Sequence, residues 1–81
     1  MDKAIRDILV ELWDPCGISF NENLRDEYDI VIPIVQFFVK HDANTNDLES
    51  MLYSLERIMG IIDRDITRAR DAAGALANLK L

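Results

Sequence analysis

A chain of 81 residues, 49% hydrophobic and 30% charged, is sized for one small domain and is too apolar to stay disordered. Its net charge of −6 speaks against nucleic acid, whose phosphates need clustered Lys and Arg, and equally against an anionic membrane surface. The single cysteine, Cys16, excludes an internal disulfide and a cysteine-based zinc site.

Helix 1 is predicted over about 2–13. Ile5, Ile8, Leu9 and Leu12 recur at helical spacing, Asp2 suits the N-terminal dipole, and Trp13 stands at the exit. Asp14 precedes Pro15 and is pushed out of the α region, so the helix stops near Trp13. Pro15 and Gly17 suit the second and fourth positions of a type I turn, with the Asp14 carboxylate accepting the Cys16 N–H. The loop 14–24 carries Ile18, Phe20 and Leu24, three apolar anchors that pin it to a core.

Helix 2 is expected over about 25–41. The β-branched run from Ile30 to Val35 also suits a strand, but Pro33 would break one and is tolerated near a helix start. Asp26, Glu27 and Asp29 fit a first turn, and a start as early as Arg25 would bend the helix at Pro33. Ile30, Ile34, Phe37 and Phe38 lie at helical spacing, and apolar positions nearly encircle the segment, which marks it as the most buried helix.

Helix 3 is expected over about 46–59, opened by an Asn46–Glu49 capping box, with Leu48, Met51, Leu52, Leu55, Ile58 and Met59 inward and Gly60 as its stop. Helix 4 is expected over about 63–79 from Asp63, with Ile66, Ala69, Ala73, Leu76 and Leu79 or Lys80 inward. Gly74 in its middle suggests a tight crossing. The expected fold is therefore all-α, a compact four-helix bundle formed by the single domain 1–81 with a structured loop at 14–24.

Trp13-Asp14-Pro15-Cys16-Gly17-Ile18, Asp26-Glu27-Tyr28-Asp29, Ile32-Pro33, a helix ending Arg57-Ile58-Met59-Gly60, and an Ala-rich closing helix together resemble a family of short bacterial all-helical proteins without an assigned activity. The resemblance spans nearly the whole chain. It implies a small helical fold and a bacterial source, and no reaction. Small proteins of this kind sometimes sit beside toxin genes as immunity partners. Members more often carry an aliphatic residue at the place of Cys16, so thiol chemistry is not implied.

Three groups are candidates for function. Asp14, Glu22, Asp26, Glu27 and Asp29 could bind a divalent metal or small ligand through oxygen, although they lack EF-hand spacing; Glu27 and Asp29 could instead meet Arg64, Arg68 or Arg70 of helix 4. His41 beside Asp42 is chiefly a helix-end residue, and a Cys16–His41 dyad is the catalytic alternative. Trp13 and Tyr28 either pack on each other or anchor an interface.

The expected function is non-catalytic protein–protein interaction, with Trp13, Asp14, Glu22, Asp26, Glu27, Tyr28 and Asp29 as the contact surface. The expected partner is a protein, a basic one being the option the net charge favours, or a second copy of the chain, since a domain this small has little stability to spare. An immunity-type inhibitor of a basic toxin is one form of this, and a metal- or ligand-binding domain is the alternative. No cofactor, enzyme activity, nucleic acid or membrane is expected. No secretory signal or long apolar run is present in the sequence, so the cytoplasm is the expected compartment.

Overall fold

A computed structural model describes residues 2–18, 22–24, 26–61 and 65–79. They form α1 (Asp2–Ile8), which widens into a π-helical turn (Leu9–Trp13), two 3₁₀ turns (Glu22–Leu24 and Asp29–Val31), α2 (Ile32–Lys40), α3 (Thr45–Ile58) and α4 (Ile66–Ala77). The fold is an all-α bundle, with no strand among the described residues. Its radius of gyration is 11.4 Å, close to the ~12 Å of a compact domain this long.

The π turn decides which face of the first helix is buried. Asp14 N–H reaches back five residues to Leu9 O (2.7 Å), and the wider turn rotates Trp13 into line with Ile5 and Leu9. Leu12, expected inside, is carried outward, and Val10 is buried instead. Asp14 ends the helix in the left-handed region (φ 37°, ψ 58°), which short polar side chains tolerate. Gly17 N–H then donates to Asp14 O (3.2 Å), closing the expected four-residue turn. Of the three loop anchors, Ile18 is buried and Leu24 packs on the core. Phe20 lies outside the described residues, as do Arg25, Asp63, Arg64 and Lys80.

The most extensive helix–helix contact is between α3 and α4. Leu48, Met51, Leu52 and Leu55 face Ala69, Ala72, Ala73 and Leu76, and alanines let the two backbones approach. Ile58 and Ile66 point outward, and a Cβ built on Gly74 would meet nothing within 4 Å. Gly74 thus marks no tight crossing. α3 ends in a Schellman motif: Ile61 N–H donates to Glu56 O (2.9 Å), Gly60 N–H to Arg57 O (3.1 Å), and Gly60 has φ +78°.

α2 ends the same way, with Asp42 in the left-handed position (φ 57°) and Ala43 N–H donating to Phe38 O (3.1 Å). That ending leaves Asn44 extended, and its Oδ1 accepts Asp47 N–H (2.8 Å). The cap of α3 is therefore Asn44, not Asn46; both have an acid three residues on, and the preceding turn selects the earlier one. At its other end α2 starts at Ile32, so Pro33 falls in the first turn, where no hydrogen bond is lost.

The largest departure from expectation concerns the buried face of α2. Val31, Ile32, Val35 and Val39 are inside, whereas Ile30, Ile34 and Phe37 are exposed. An apolar set that nearly encircles a helix does not say which side meets the core. Here Val31, Ile32, Val35 and Val39 took the interior.

Candidate functional site

Both halves of the sequence motif converge on one buried node. The Trp13 and Tyr28 rings pack at a centroid distance of 5.4 Å, tilted by 50°. Trp13 Nε1–H donates to Glu56 Oε2 (3.0 Å), joining the end of the first helix to α3. The Tyr28 hydroxyl donates to Asp14 Oδ1 (2.8 Å) and accepts the Cys16 N–H (2.8 Å), while Asp14 Oδ1 also accepts the Ile18 N–H (2.8 Å). The amide of Cys16 is thus taken by a phenol rather than by the Asp14 carboxylate. Burial pushes the Tyr28 hydroxyl far above its usual range; the Cys16 amide opposes the rise and the Asp14 carboxylate adds to it.

Two arginines complete the assembly. Arg68 of α4 donates from Nε to Trp13 O (3.3 Å) and from Nη2 to Glu11 O (3.4 Å), capping carbonyls at the end of the first helix. Arg6 holds Asp29 through two bonds, Nε–Oδ1 (2.8 Å) and Nη2–Oδ2 (2.6 Å), which tie α1 to the entrance of α2. Of the helix 4 arginines that are described, Arg68 caps the first helix and Arg70 pairs with Glu49 (3.6 Å), so neither meets Asp29; Arg64 lies outside the described residues. Asp29 makes no cap of its own turn, because its carboxylate is committed to Arg6.

The seven residues expected to form a contact surface divide accordingly. Trp13, Asp14 and Tyr28 are interior, and Asp29 is half-buried in its ion pair. Asp26 and Glu27 are exposed. Glu22 opens a 3₁₀ turn, and its side chain is outside what is described. Among the described residues no three His, Cys, Asp or Glu side chains gather as metal ligands. Cys16 is exposed on its turn, and His41 stacks on Phe37 (4.4 Å) at the end of α2.

A cleft of about 250 Å³ opens beside the node, between Trp13, Asp14, Pro15, Glu56, Asp65 and Arg68. Its polar groups already have structural work. Asp65 Oδ1 caps α4 by accepting the Arg68 N–H (3.0 Å), Arg68 caps the first helix, and Glu56 accepts from the indole.

The surface that composition and motifs did not reveal is the outer side of α2. Ile30 is 83% exposed, Ile34 44% and Phe37 60%, at the i, i+4, i+7 spacing of one helical stripe. Beyond Phe37 the stripe runs into an open groove of about 470 Å³ between α2 and α3, lined by Phe37, Phe38, His41, Asp47 and Met51 among others. Comparison with protein-family models, with curated proteins and with solved structures finds no match for this chain.

Proposed function

We propose that this chain is a non-catalytic protein-interaction domain whose contact face is the outer side of α2. The observation that carries this is the stripe of Ile30, in the 3₁₀ turn entering α2, with Ile34 and Phe37 of α2, large apolar side chains left open to water while the opposite side of the segment fills the core. Asp26 and Glu27 lie exposed on the turn entering the stripe and favour basic groups opposite that end. An immunity-type inhibitor of a basic toxin is one form such a partner relation takes. The divalent-metal alternative has less support, because the carboxylates of residues 14 and 29 are engaged within the fold. Kinship with the short bacterial helical proteins rests on the motif residues alone; those with described roles, Trp13, Asp14, Gly17, Tyr28 and Asp29, all act in the architecture.

The test is urea unfolding of the triple variant Ile30→Ser, Ile34→Ser, Phe37→Ser at low protein concentration. A stripe that serves contact leaves stability within about 0.5 kcal/mol per site. Losses near the roughly 2–5 kcal/mol typical of truncated core side chains would make it part of the core and end the proposal.

A further inference from the structure

The distribution of charge along α2 suggests what covers it. Asp26 and Glu27 stand on the turn that precedes the 3₁₀ turn Asp29–Val31 and α2; at the far end, Lys40 and His41 follow the last stripe residue. All four are exposed. Acid, apolar stripe and base are arranged evenly about the middle of the segment, between Pro33 and Ile34.

We infer that the occupant of this face is a second copy of the chain, with α2 packed antiparallel on α2 about a two-fold axis near Pro33 and Ile34. The inference rests on the interaction role proposed for α2 and names its partner. In an antiparallel pair, positions equidistant from the axis face each other. Ile30 then meets Phe37 of the second copy, Pro33 meets Ile34, and Glu27 meets Lys40. The groove between α2 and α3, with Phe38 and Met51 along it, lies next to Phe37 and receives the exposed Ile30 of the other chain.

Other occupants fit less well. A parallel copy would set Glu27 against Glu27. A uniformly basic partner would satisfy Asp26 and Glu27 but press like charge on Lys40. The same segment reversed supplies a base opposite the acids and an acid opposite the base. Asp42 lies just past the paired positions and leaves the basic end less strongly charged than the acidic one. Three stripe residues per chain make a small interface, so association falls in roughly the micromolar range or weaker.

Sedimentation of the native chain up to roughly 1 mM, a concentration that populates dimers of such affinity, reads this directly. A monomer–dimer equilibrium is expected. Phe37→Asp abolishes it; Glu27→Lys and Lys40→Glu each weaken it, by roughly tenfold, since each change breaks two symmetry-related pairs. The double variant Glu27→Lys, Lys40→Glu restores it to within a factor of about two, because the pairs are re-formed with signs exchanged. A chain that stays monomeric throughout overturns the inference, as does a dimer indifferent to Phe37→Asp or one that the double reversal fails to restore. Monomeric behaviour combined with an undisturbed triple serine variant would leave the contact role standing with a different partner, whereas loss of folding in that variant would remove both.

Discussion

The Tyr28 hydroxyl stands between a backbone donor, the Cys16 N–H, and a carboxylate acceptor, Asp14. Replacing it by phenylalanine keeps the ring on Trp13 but leaves the Cys16 amide without its acceptor and removes a donor from Asp14. Tyr28→Phe should therefore cost about 1–3 kcal/mol of unfolding free energy at neutral pH. The same hydroxyl holds its proton more tightly in the folded chain than in the unfolded one. The native state then binds the extra proton above about pH 10, so this contribution is complete below that pH and is lost as pH rises beyond it. Tyr53, raised chiefly by its hydrogen bond to Glu49 and also by burial, acts in the same direction. Urea midpoints between neutral pH and pH 11 should fall for the native chain and fall less steeply for Tyr28→Phe; equal slopes would deny Tyr28 this role.

At the scale of elements, local chemistry and tertiary demand part company in visible places. The first helix widens into a π turn that buries Leu9, Val10 and Trp13 and leaves Leu12 exposed. α3 starts at the cap that the end of α2 leaves extended, so two plausible boxes reduce to one. In α4, Gly74 is a helix-interior glycine with open space around it and no positive φ. Gly74→Ala should raise the unfolding free energy by roughly 0.5–1 kcal/mol through helix propensity and reduced unfolded-state entropy. Thermal unfolding of the single variant checks this, and a lowered midpoint would show that α4 needs a residue without a side chain at this position.

For the molecule as a whole, helical class, order and approximate extents were legible because period and turn chemistry are local signals. Pro15 and Gly17 mark the reversal, Gly60 the end of α3, and Pro33 tells helix from strand. The contacts that hold the bundle were less legible. Glu56 is 3% exposed and joined to the Trp13 indole, yet nothing in its helix separates it from a solvated glutamate. The pairing of Asp29 with Arg6 rather than with helix 4 depends on how helices dock. The outer stripe of α2 stayed hidden because that segment is apolar on nearly every side, and only the packed structure divides its buried side from its exposed one.

These placements separate the motif, which builds the interior, from the exposed α2 face, for which we propose the contact role. A dilution series followed by amide and indole NMR shifts tests the separation most directly. Shifts that move with concentration at residues 27–41, with the Trp13 indole signal unmoved, are the predicted result. Concentration-dependent movement centred on Trp13, Asp14 and Tyr28, with Ile30, Ile34 and Phe37 silent, would contradict it.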